Sequence, residues 1–145
     1  NKEIVTVHTK RGRETYDLNA WQGPRIKPTA AERERIARGG LFIPRPGPGA
    51  KHMDNFNTYA SMKNLRGSQN IVPLDSVGGT VLWVQAELHR QGVIFPPLYL
   101  IGSEWGQVGG YDGIETEGIC YLANAVLGRQ ACWGMPAVIA QHHES

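Results

Sequence analysis

Long hydrophobic runs are missing from this chain of 145 residues. No stretch approaches the roughly 20 apolar residues that cross a bilayer, so no membrane span is expected within it. Cysteine is scarce. Cys120 and Cys132 are the only two, too few for a disulfide-built scaffold. They could pair in an oxidising compartment or stay as two buried thiols. Charge of one sign is also lacking: 15 Lys and Arg face 13 Asp and Glu, a net of +2. That does not suggest a nucleic-acid binder, which normally carries a clustered basic face, and no nucleic-acid partner is expected. No secretory leader pattern is present. The opening residue is Asn1 rather than a methionine, so the chain is expected to be a fragment or a processed product, with any anchor outside it.

What is present suits one globular domain. Hydrophobic residues make up 41% and charged residues 19%, ordinary values that argue against wholesale disorder. The length is enough for a real core. With 18 glycines and 9 prolines, much of the chain must be loop. Three parts are expected: residues 1–38 with a strand, a basic loop and a short helix; a Pro/Gly-rich connector at 39–54; and a core at 55–145.

The chain is organised around Leu74-Asp75-Ser76-Val77-Gly78-Gly79-Thr80-Val81-Leu82-Trp83-Val84. Val81 to Val84 is a continuous apolar run, which predicts a strand covered on both faces. Gly78 and Gly79 lack a Cβ and allow a sharp turn or the close approach of a ligand. Asp75, before them, suits a ligand edge. It also suits a turn carboxylate capping its own backbone.

Elsewhere, Glu3 to Val7 alternates and is β-branched, which predicts a strand. Lys10-Arg11-Gly12-Arg13 is a basic turn, either solvated or able to touch a phosphate. Tyr16-Asp17-Leu18-Asn19-Ala20-Trp21 mixes aromatics with turn formers and is expected to pack a loop on the core. Thr29-Ala30-Ala31-Glu32 is a capping-box pattern opening a short, charged, peripheral helix to about Arg38. Leu41 to Ala50 is too rich in proline and glycine for regular structure and reads as a semi-stiff connector. Asn55 to Leu65 is a plausible helix. A short helical turn through Glu87 to Arg90 ends at Gly92, and Val93 to Pro97 reads as a brief strand.

Leu98 to Gly113 is a glycine-rich loop holding Trp105. Aromatics among glycines bind sugar faces, form lids, or anchor loops on a core. Ile119, Leu122, Ala123, Val126 and Leu127 form one apolar helical stripe, closed by Gly128. Asp112 as N-cap with Glu115 at N3 would start that helix. Such a start accounts for Glu115 but less well for Glu117, which could bind a substrate hydroxyl or act as a base. Ala131 to Gly134 and Pro136 to Gln141 read as two short strands. His142 follows them, as a metal ligand or as part of an exposed terminal pair with His143.

Taken together, Pro73 to Thr80, Ala86-Glu87-Leu88-His89-Arg90, Phe95-Pro96-Pro97, Glu115-Thr116-Glu117-Gly118, Gly134-Met135-Pro136 and His142 resemble the fungal Golgi α-mannosyltransferases of the mannan polymerase type, glycosyltransferase family 62. Tyr16 to Trp21 resembles an upstream segment of that family. The likeness is dense from Asn70 to His142 and thin between Gln22 and Gln69. It implies an α/β GT-A fold with a mixed sheet between helices. It also implies GDP-mannose as donor, a manganese ion, retention of anomeric configuration, an oligomannose acceptor, hetero-oligomeric partners, and a Golgi location with a type II anchor.

In such enzymes a D-x-D pair and a C-terminal His hold the metal, and His142 matches that His. Asp75, Gly78 and Gly79 match the sugar and acceptor side, with Asp75 orienting substrate. Glu115 and Glu117 match an acidic pair facing the acceptor, with Glu117 holding its hydroxyls. Trp105 is a further substrate-binding candidate. No D-x-D occurs in this sequence; by analogy it would precede Asn1, making this the C-terminal half of a catalytic domain. A non-catalytic carbohydrate-binding or scaffolding subunit is the alternative.

Overall fold

The computed structural model describes residues 2–26, 28–40, 45–56, 71–96 and 114–143. Two long strands form its centre: β1 (Ile4–Arg11) and β9 (Cys132–Gln141), which run parallel. Alternation along β1 sends Ile4, Thr6 and His8 into the core, each at most 1% exposed. Their neighbours Val5 and Val7 are only half-buried. The sheet is completed by three short antiparallel strands. β2 (Glu14–Thr15) and β8 (Leu82–Val84) pair with β1, and β7 (Val72–Pro73) pairs with β9. The resulting order is β2-β1-β9-β7, with β8 also on β1. The basic turn at Gly12 (φ 62°) joins β1 to β2.

The expected pair of strands at 131–134 and 136–141 is a single interrupted strand. Val7 pairs with Met135, but the next residue, His8, pairs with Ile139. Pro136, Ala137 and Val138 are therefore looped out as a bulge. Proline has no N–H to give a ladder, so a break at Pro136 leaves no donor wasted.

Three further expectations are corrected. The apolar run 81–84 is a three-residue strand that, among the described residues, pairs with β1 alone, with Val81 42% and Trp83 55% exposed. An apolar run shows burial potential but not position in a sheet. Here Leu82 and Val84 meet the core and Trp83 points away from it. Val93 to Phe95 is not a strand. The N–H of Val93 bonds the carbonyl of Leu88 (3.0 Å) and closes the short helix α2 (Ala86–Arg90) instead of joining a ladder. The long helix α3 (Glu115–Leu127) is capped by Ile114, so Glu115 is its first residue rather than its third. The Ile114 carbonyl takes the N–H groups of both Glu117 and Gly118. Gly128 ends this helix in the left-handed conformation (φ 65°), as its position predicts.

The connector is more ordered than its composition suggests. β4 (Arg25–Ile26) pairs with β5 (Arg45–Pro46), and β3 (Trp21–Gln22) pairs with β6 (Lys51–His52). Trp21 also bridges to Ser76 and is 1% exposed. The peripheral helix α1 (Ala30–Ala37) has both halves of its capping box, Thr29 with Glu32, and buries no residue. The rest of the helix expected at Asn55–Leu65, beyond a 3-10 turn at Met53–Phe56, lies outside the described residues. So does the loop Leu98–Gly113 with Trp105 and Asp112.

One core cluster joins β1, β9, α2 and α3, with Ile4, Leu74, Val77, Leu88, Val93 and Ile119 among its members. The question left by the cysteines is answered: Cys120 on α3 is disulfide-bonded to Cys132 on β9. A stable disulfide points to an oxidising compartment. Among the described residues, no helix is long and apolar enough to cross a membrane.

Candidate functional site

The far end of the sheet opens on a cleft, and strand β1 brings its walls together. The Thr9 carbonyl accepts from the N–H of Tyr16 (2.9 Å), and the Lys10 carbonyl accepts from the N–H of His142 (2.7 Å). Tyr16 and His142 are thus fastened to consecutive β1 residues. Their rings stack with centroids 3.8 Å apart and planes within 20°. The Nδ1 atom of His142 is buried, with no hydrogen-bond partner among the described residues.

The next residue, Asp17, is a buried carboxylate with three donors. Its Oδ1 accepts from the N–H of Asn19 (3.1 Å). Its Oδ2 accepts from both the N–H (3.1 Å) and the hydroxyl (2.9 Å) of Thr80. Gly78 lies so close that a Cβ there would fall 2.4 Å from Oδ2. The glycine pair therefore divides its roles. Gly78 is buried and makes room for Asp17, whereas Gly79 is exposed on the cleft.

Helix α3 forms the third wall. Glu115 is exposed there, while Thr116 is 4% exposed, with its methyl toward Gly79. The whole is an open cleft of about 660 Å³ lined by Tyr16, Asp17, Leu18, Asn19, Gly79, Thr80, Glu115, Thr116 and His142. It is wide and polar, and it carries two carboxylates, an imidazole and a phenol. Such groups can hydrogen-bond several hydroxyls, and the tyrosine ring offers an apolar edge.

Three sequence candidates, Gly79, Glu115 and His142, meet in this cleft. Asp75 and Glu117 sit elsewhere. Asp75 is exposed, and its Oδ2 accepts from the N–H of Gly23 at 2.7 Å, tying the 21–23 segment to the 74–76 turn. Glu117 is buried and ion-paired with Arg25, Oε1 to Nε 2.8 Å. Neither lines the cleft. Trp105 falls outside the described residues. Sequence reasoning overlooked Tyr16 and Asp17, which it read as loop packing. The Asn19 N–H from which Asp17 accepts is an ordinary turn contact two residues on, and the Thr80 partner that sets its place at the cleft is 63 residues away.

Among the described residues, no three His, Cys, Asp or Glu side chains converge to hold a metal ion. Both Asp17 oxygens already serve other donors, and His142 has no acidic companion set at ligand geometry. The residues described here do not fit a manganese ion by themselves.

Comparison with known families decides the relationship. The sequence profile of the Anp1 family matches residues 2–99, more than half of the chain. The chain belongs to the Anp1 family. This is a family of Golgi mannosyltransferase-related proteins, and membership carries a role in Golgi mannosylation and an association with mannosyltransferase complexes. The match runs through residues 22–69, where the motif resemblance is thin. It takes in Tyr16, Asp17, Asp75, Gly78 and Gly79 and stops before Glu115, Glu117 and His142. No solved structure matches this Anp1-family chain.

Proposed function

We propose that this Anp1-family chain supplies the sugar and acceptor side of a mannosyltransferase site. The reaction would move mannose from GDP-mannose to a mannan or N-glycan acceptor, with retention, on a GT-A framework. One observation carries the reading: Gly79, Glu115 and His142, from three separated blocks of sequence, line a single open polar cleft. Glu115 is the exposed carboxylate suited to accept hydrogen bonds from acceptor hydroxyls. The bare backbone at Gly79 admits a sugar ring close to the sheet. Asp75 and Glu117 serve the same site indirectly, by fastening the Gly23 and Arg25 segments.

A divalent cation stays within the proposal, with His142 as this chain's contribution. Its other ligands would have to come from beyond the described residues. The type II anchor and the lumenal Golgi setting are proposed on the same basis, and the disulfide suits that oxidising lumen.

The test is transfer of labelled mannose from GDP-mannose to α-mannobiose by the full-length protein, with and without manganese. Glu115→Gln is expected to lower kcat/KM by about tenfold, which is about 1.4 kcal/mol of transition-state stabilisation. Unchanged kinetics in Glu115→Gln would remove the cleft from the reaction. The second reading is a sugar-binding or scaffolding subunit. The half-exposed Tyr16 ring beside a shallow cleft favours it, since such a ring grips a sugar face without chemistry. Binding of α-mannobiose with neither transfer nor hydrolysis of GDP-mannose would select that reading.

A further inference from the structure

We propose that Tyr16 and Asp17 are the positioning residues of this cleft. Asp17 locks the 16–19 segment onto the 78–80 turn, and Tyr16 fixes the plane of the His142 imidazole. The role in catalysis rests on the mannosyltransferase reading above; the geometry does not.

Two features separate this pair from ordinary loop packing. Tyr16 is 40% exposed, so its ring is not hidden in the core; it lies flat on an imidazole at the rim of the cleft. Asp17 is the reverse, a carboxylate only 9% exposed whose two oxygens take three hydrogen bonds. Buried carboxylates are costly unless so satisfied. The fit is close enough to require glycine at position 78, where any Cβ would overlap the carboxylate. One short segment therefore holds two cleft walls far from it in sequence. The glycine turn is held through Asp17, and the end of β9 through Tyr16. A side chain held by packing and hydrogen-bonded supports keeps the geometry a ligand needs, and a loose one does not.

The experiment uses the full-length protein with Tyr16→Leu, Tyr16→Phe, Gly78→Ala and Asp17→Ala, alone and with the last two combined. The stack places the His142 ring protons over an aromatic face, so their NMR resonances should lie upfield. Tyr16→Leu should return them to ordinary positions, and Tyr16→Phe should keep them upfield. Tyr16→Leu should also lower kcat for mannose transfer by about tenfold, and Tyr16→Phe, which keeps the stack but loses the hydroxyl, by clearly less, with melting temperature little changed. Gly78→Ala should lower the melting temperature, and much less so when Asp17 is already Ala, because the overlapping carboxylate is gone.

His142 resonances unaffected by Tyr16→Leu would overturn the role of Tyr16. Additive effects of Gly78→Ala and Asp17→Ala would overturn the role of Asp17. Resonances that move while transfer and α-mannobiose binding both stay at wild-type levels would overturn positioning itself. If the unaltered protein transfers no mannose, only the enzymatic reading fails. The resonances, the melting-temperature coupling and α-mannobiose binding still decide the proposal.

Discussion

The two ends of strand β1 are held in opposite ways. At its start the chain is stapled. Glu3 is buried under Arg129, with bonds of 2.5 and 3.1 Å, and the Cys120–Cys132 disulfide lies where β9 begins. The Lys2 ammonium sits 3.0 Å above the Trp133 ring. At the other end, the 10–19 segment and His142 are joined by hydrogen bonds and one ring stack, beside open solvent. A covalent tie does not open, whereas hydrogen bonds and a ring stack can loosen around a ligand. The stapled end supplies stability, and the open end is where binding chemistry is concentrated.

Removing the disulfide should give the largest effect and should break the contrast. It closes a short loop between cysteines 12 residues apart. Loops of that size are worth about 3 kcal/mol through restriction of the unfolded chain. Cys120→Ala with Cys132→Ala should lower the unfolding free energy by about that much in a urea titration. Below the new midpoint, α-mannobiose should still bind. Loss of binding in a protein that is still folded would show that the two ends are not independent.

Next in size is Gly134→Ala. A Cβ there would lie 2.7 Å from the Met53 sulfur and 2.8 Å from Leu74 Cδ1. Both are buried side chains, and overpacking of this kind costs about 1–3 kcal/mol. The Met53 side chain can move more readily than Leu74, which places the expectation toward the lower part of that range. A thermal melt checks it, and an unchanged melting temperature would mean that β9 has slack in the core.

These sites show which features were legible in the sequence and which were not. The Thr29–Glu32 capping box and the Gly128 helix stop involve neighbours within one turn, and both are where the sequence puts them. β1 was visible as a strand, but its parallel partner begins at Cys132, and no local pattern reveals such a pairing. The apolar run at 81–84 therefore looked central when, among the described residues, it lies at an edge. Gly78 stood out as a glycine needing a close neighbour. That neighbour is the carboxylate of Asp17, far away along the chain, so the sequence suggested a ligand in its place. Glu115 and His142 were legible as chemistry through motif resemblance, whereas the ties of Asp75 to Gly23 and of Glu117 to Arg25, outside the cleft lining, were not.

A smaller change should leave both ends of β1 untouched. Thr29→Ala removes the N-cap of α1, worth about 1 kcal/mol to that helix. Because α1 buries no residue, the loss should stay local. Amide exchange should quicken over residues 30–33 while global melting and mannose transfer hold. A fall in global stability would show that this helix is integral to the core.

The smallest effects come from acid, and they sharpen the comparison because a group with a lowered pKa lies toward each end. Burial, and then the nearby Lys10 charge, holds the His8 imidazole below its ordinary value of 6.5. In the folded chain its Nε2 meets the Thr15 hydroxyl at 3.1 Å, beside β2. The hydrogen bond from Arg129 holds the Glu3 carboxyl below its ordinary 4.5. Both folded-state values are depressed, so in each window the unfolded chain binds more protons and stability falls as pH falls. The His8 contribution is complete above 6.5 and declines as pH drops below it. The Glu3 contribution is complete above 4.5 and declines below that. Acid should therefore weaken the cleft end first and the stapled end second. A plot of unfolding free energy against pH should show two successive declines. Replacing His8 with Gln should flatten only the upper decline, and replacing Glu3 with Gln only the lower. If His8→Gln left the upper decline intact, acid sensitivity would arise elsewhere, and the two ends of β1 would not differ in their response to protons.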